Sequence, residues 1–97
     1  MPVSIYRVTP KGQKNETIAC LCDGNWRVLD QAEALEAWLA EHCATLKPDD
    51  YVADIGFTPR EDALGGGAAI SPEMMRTMAD LGISLFLSEY PSSSDET

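Results

Sequence analysis

Ser71-Pro72-Glu73-Met74-Met75-Arg76-Thr77-Met78-Ala79-Asp80-Leu81-Gly82, followed by Ile83-Ser84-Leu85-Phe86-Leu87-Ser88, is the stretch that decides the fold. The Ser71 hydroxyl can accept from a free amide of an opening helix, and Pro72 at the first helical position forfeits no intrahelical hydrogen bond. Gly82 marks the stop, because glycine takes the left-handed geometry that closes a helix at little cost. Between them Met74, Met75, Met78 and Leu81 fall mainly on one side, while Glu73, Arg76 and Asp80 meet solvent. Ile83, Leu85 and Leu87 then alternate with Ser84, Phe86 and Ser88, which predicts a final strand with two unlike faces.

Upstream, Tyr51-Val52-Ala53-Asp54-Ile55-Gly56-Phe57 alternates as well, with Tyr51, Ala53, Ile55 and Phe57 on the buried side. Before it, Leu35, Trp38, Leu39, His42, Cys43 and Leu46 recur at helical spacing, and Glu33, Glu36 and Glu41 lie on the opposite, acidic side. Asp30 with Glu33 has the form of a capping box, so the helix is expected to begin at Gln31 and to be closed by Pro48. Val3 to Thr9 and Thr17 to Cys22 predict a hairpin around the polar stretch 10–16. Trp26 to Leu29 is expected to be a short strand or an extended lead into the helix, and Ala68 to Ile70 a short returning strand. Methionines 74, 75 and 78 are read as core filler, and Trp38 belongs with the packing stripe. The order predicts an α+β class two-layer sandwich, a mainly antiparallel sheet of four to five strands with two helices on one face.

The chain of 97 residues suffices for one domain, expected over residues 1–90, with the polar stretch 91–97 expected to be disordered. Seven basic and sixteen acidic side chains give a net charge of −9, the wrong sign for neutralising nucleic-acid phosphates. The charge is uneven: residues 1–30 carry four basic and three acidic side chains, residues 31–97 three basic and thirteen acidic. No apolar run approaches the roughly 20 residues of a membrane span. The first residues, Met1 to Arg7, do not have the pattern of a secretory signal, so a cytoplasmic location with reduced Cys20, Cys22 and Cys43 is expected.

From about Leu35 onward the chain resembles a bacterial family catalogued as domain of unknown function 4279. The residues that carry the resemblance are Leu46-Lys47-Pro48, the Tyr51 to Phe57 strand, and Ile70-Ser71-Pro72-Glu73 through Ala79-Asp80-Leu81-Gly82-Ile83 to Tyr90. It covers roughly the second half of the chain and implies a strand, a Ser-Pro capped helix, a Leu-Gly stop and a last strand. It implies no activity, so no catalytic residue is carried over.

Among candidate sites, Cys20 and Cys22 lie two apart on one predicted strand and thus on one side, with His42 and Cys43 on the first helix. Four such ligands could suit zinc, yet the spacing is not a usual zinc pattern, and small thiols filling the core with His42 at its edge are the preferred reading. No metal or other cofactor is therefore assigned. Gly65-Gly66-Gly67 lacks the Lys-Ser/Thr that completes a phosphate-binding loop. Adjacent His42 and Cys43 point about 100 degrees apart on a helix, which does not make a nucleophile pair. With no catalytic set, the sequence points to a non-enzymatic interaction protein: a small acidic immunity or inhibitor protein that binds and blocks a basic toxin or effector. Its expected partner-binding residues are Asp49, Asp50, Arg60, Glu61 and Asp62. A phage-type anti-defence protein acting by negative-charge mimicry fits the same physics, and a module binding a small molecule or metal is the other alternative. An open sheet edge also allows a homodimer.

Overall fold

The computed structural model describes residues 2–10, 14–59 and 67–90. In chain order it has strands β1 (Val3–Arg7) and β2 (Glu16–Leu21), helix α1 (Val28–His42), strand β3 (Tyr51–Phe57), helix α2 (Pro72–Leu81) and strand β4 (Ile83–Glu89). The strands form one four-stranded sheet in the order β2-β1-β3-β4. β1 is antiparallel to both β2 and β3, whereas β3 and β4 are parallel. The sheet is mixed because α2 carries the chain back across it; a parallel pair needs such a crossover.

Both helices cover the same face. Val3 and Ile5 of β1, Tyr51, Ala53 and Ile55 of β3 and Ile83 of β4 pack with Leu35 and Leu39 of α1 and Met74, Met78 and Leu81 of α2 in one buried cluster. α1 starts beside the end of β3, where Gln31 reaches Gly56, and α2 ends beside its beginning, where the Asp49 amide donates to Leu81 O. Each helix therefore runs opposite to β3. Among the described residues no element covers the other face of the sheet.

α2 follows its punctuation closely. Ser71 Oγ accepts from the Met74 amide at 3.1 Å, Pro72 opens the helix, and Gly82 closes it at φ 83°. Its core contacts are Met74, Met78 and Leu81, whereas Met75 is half exposed: an i, i+4, i+7 stripe leaves no room on the sheet for a neighbour one residue on.

Four expectations are corrected. Of the two readings of Trp26 to Leu29 the strand is corrected and the extended lead holds as far as Arg27, which caps a helix that begins at Val28, with the Gln31 amide already donating to Arg27 O. Asp30 thus sits within the first turn, where a carboxylate is favoured by the helix dipole, and not at the cap. Ala68 to Ile70 is not a strand either, and α1 ends at His42, after which the Thr45 and Leu46 amides fold back onto His42 O as turns.

Candidate functional site

The two helices lie side by side on the sheet, and their outward faces form one acidic surface. Glu33, Glu36 and Glu41 of α1 and Glu73 and Asp80 of α2 are all exposed, and Arg76 is the one lysine or arginine among the described residues of these helices. Between the helices runs a groove of about 310 Å³, built on Leu39, Ala40 and Met74, with Glu36 and Glu73 among its walls. Apolar stems with acidic rims suit the side chains of lysine and arginine, which bury an aliphatic stem and present a cationic head. The periodicity of each helix carries these acids; what no sequence pattern supplies is the adjacency of the two helices.

The expected partner-binding residues occupy different surroundings. Asp49 is bound into the scaffold: its carboxylate accepts from the Asp50 amide at 2.7 Å and stands 3.8 Å from Arg7 Nη1. Arg7 also donates to Glu16 Oε1 at 2.8 Å. The Glu16 hydrogen bond and charge, with a smaller contribution from Asp49, push the Arg7 guanidinium above its ordinary range. Asp50 is exposed next to it, and its carbonyl accepts from the Val8 amide. Arg60, Glu61 and Asp62 lie outside the described residues.

The thiols and the imidazole do not converge. β2 is bulged where the register shifts opposite Ile5 and Tyr6, so Cys20 faces Ser4 on the uncovered side of the sheet. Cys22 lies past the end of β2 at φ 56°, so strand alternation no longer sets its direction, and its Sγ donates to Asp30 O at 3.8 Å. This overturns the expectation that both thiols share a side. Burial, and secondarily the Asp30 charge, pushes the Cys22 thiol up. His42 stacks on Trp38 with ring centroids 4.7 Å apart, and Cys43 is exposed at the helix end. Among the described residues no three His, Cys, Asp or Glu side chains are grouped to hold a metal ion.

A second, smaller cavity of about 230 Å³ opens at the start of α1, between Val28 and Leu29 on one side and Phe57 and Pro59 on the other, with Arg27 at its wall. Beside this end of the molecule Trp26 and Tyr90 meet edge to face, their ring centroids 5.3 Å apart. No helix among the described residues is long and apolar enough to cross a membrane. Neither a family model, a curated protein nor a solved structure matches the chain.

Proposed function

We propose that this α+β domain is a non-enzymatic protein-interaction module, a small acidic inhibitor of the immunity type that receives a basic toxin or effector on its helical layer. The observation that supports this reading is the apolar-floored groove walled by Glu36 and Glu73, on two helices that also expose Glu33, Glu41 and Asp80. An anionic face of this kind steers a cationic partner, and the groove offers seats for its lysine and arginine stems. Exposed Asp50 extends the same charge toward the entry of β3. Inhibition then needs no bond-making: the domain occludes its partner's working surface.

The test is capture from the source cell with the native chain and with the Glu36→Lys, Glu73→Lys double variant, followed by stopped-flow association with the captured partner. The native chain is expected to retain a basic protein whose on-rate falls roughly tenfold or more as salt is raised, and the variant to lose it. An on-rate that is flat in salt and unchanged in the variant overturns the reading. A second reading, a module for a small ligand with an apolar body and an anionic head, is favoured by the cavity between Val28, Leu29 and Phe57 beside Arg27. A ligand panel read by thermal shift separates the two, since binding to the native state raises the melting temperature.

A further inference from the structure

β4 is an edge strand that carries two of the most exposed large apolar side chains among the described residues, Phe86 at 48% and Leu87 at 63%. Natural edges are commonly blunted by charges, bulges or prolines. The opposite edge, β2, has such protection: a register shift against β1 and the Glu16–Arg7 ion pair. Ile83 to Ser88 has no ionisable side chain at all, and among the described residues no element lies along its outer side.

The backbone bonding pattern shows which groups are unsatisfied there. The Tyr51 amide donates to Gly82 O and the Tyr90 amide to Phe57 O, at the two ends of a parallel register running from Tyr51↔Ile83 to Phe57↔Glu89. In a parallel ladder every second residue bonds to a given neighbour. The even-numbered residues of β4 thus bond to β3, and Ile83, Leu85, Leu87 and Glu89 direct N–H and C=O outward.

The sequence of the edge is its own mirror: Ser84-Leu85-Phe86-Leu87-Ser88 reads the same in both directions about Phe86. We propose that β4 is a self-recognition edge, at which a second copy of this chain pairs β4 to β4, antiparallel, about a two-fold axis through Phe86. An isologous contact requires a self-complementary patch, and this edge meets that requirement in two respects. Leu85 faces Leu87 of the second copy as a hydrogen-bonded pair, odd against odd, so every outward N–H and C=O finds a partner. Phe86 faces Phe86 of the second copy as a non-hydrogen-bonded pair, the closer of the two spacings, on the uncovered side of the sheet. Leu87, the more exposed residue, is thereby covered by Leu85. Glu89 falls opposite Ile83, so the pairing sets no like charges face to face, and the acidic surface on the helices stays free. The inference is independent of the proposed basic partner.

The test is the mass of the full chain in solution over roughly one to several hundred micromolar, by sedimentation and light scattering. The native chain is expected to pass from 10.6 kDa to twice that mass. Dimerisation should strengthen with added salt, which screens the repulsion of two chains of charge −9, opposite to the salt response of a basic partner. Leu87→Lys, at an exposed site that the fold does not need, should hold the chain monomeric. Register is tested in a Cys20→Ser, Cys43→Ser background: Phe86→Cys should cross-link on oxidation, since its Cα atoms would lie within disulfide range, and Ser84→Cys should not. A native chain that stays monomeric, a dimer untouched by Leu87→Lys, or equal cross-linking at positions 84 and 86 overturns the proposal.

Discussion

Gln31, wholly buried near the start of α1, donates from Nε2 to the carbonyl of Gly56 at 2.6 Å, tying the helix to the far end of β3. The same amide donates to Asn25 O at 2.7 Å, so one side chain fastens the turn before the helix, the helix itself and the strand beneath it. Replacing it by Leu leaves two carbonyls without their donor. The buried Gly56 carbonyl costs about 1–3 kcal/mol when unmet, the part-buried Asn25 carbonyl less, and removal of the partnerless Gln31 Oε1 offsets some of this, so Gln31→Leu is expected to lower the denaturation midpoint modestly despite adding apolar volume. Equilibrium urea unfolding checks it, and an unchanged midpoint would show that the two bonds contribute nothing net.

Two glycines with nearly the same backbone angle should respond differently to alanine. Gly24 at φ 82° has open space where a Cβ would stand, while at Gly82, φ 83°, the added carbon would run into the Asp49 carbonyl. Gly24→Ala therefore bears only the left-handed strain, about 1–2 kcal/mol. Gly82→Ala must also push the entry of β3 away from the end of α2, so its loss of stability should be larger than that of Gly24→Ala. Thermal melts of the two variants side by side decide it; equal losses would mean that Asp49 yields freely.

The contrast with what could be read from the sequence is physical. The β3 alternation and the Ser71, Pro72, Gly82 punctuation were legible because period and capping are local. The start of α1 was not, because Asp30 and Glu33 have the spacing of a capping box while the helix opens a turn earlier at Arg27, a cap with no side-chain hydrogen bond to mark it. The parallel sense of β4 and the meeting of α1 with α2 likewise depend on where α2 carries the chain. For the site, the acids of each helix were visible as exposed positions, but Asp49 looked equally free. Only the Arg7 guanidinium and the Asp50 amide show that its carboxylate is engaged.

Cys22 should be the slow thiol. Burial first, and the Asp30 charge second, disfavour its thiolate, and the thiolate is the form that reacts. Under iodoacetamide, exposed Cys20 and Cys43 are expected to be modified before Cys22, whose rate should rise only at higher pH. Asp30→Asn should bring that rise to lower pH. Linkage gives the stability consequence. With its pKa raised in the folded state, the thiol favours folding fully below the unfolded value of about 8.5 and loses that contribution as pH rises through the folded value. The stability difference between the native chain and Cys22→Ala should therefore shrink in alkali, as urea melts across that range would read. Equal alkylation of all three thiols would contradict the placement of Cys22.

Trp26 and Tyr90 together hold the end of β3: Trp26 O accepts from the Thr58 amide, and the Tyr90 amide donates to Phe57 O. The Tyr90 ring also lies over Gly56, so closely that an added Cβ would stand 2.7 Å from its Cε2. Gly56→Ala should therefore displace the tyrosine and, through the edge-to-face contact, open Trp26 to water. Tyr90→Ala should do the same directly, with a loss of about 0.5–1.5 kcal/mol for the aromatic pair beyond the area buried. Trp26 is already 39% exposed, so the expected fluorescence red shift is modest and is best read in a Trp38→Phe background, where Trp26 is the sole indole. Both variants should shift the emission in the same direction. A Gly56→Ala chain that keeps native emission would place the Tyr90 ring clear of the strand, and the pair could then no longer be holding β3.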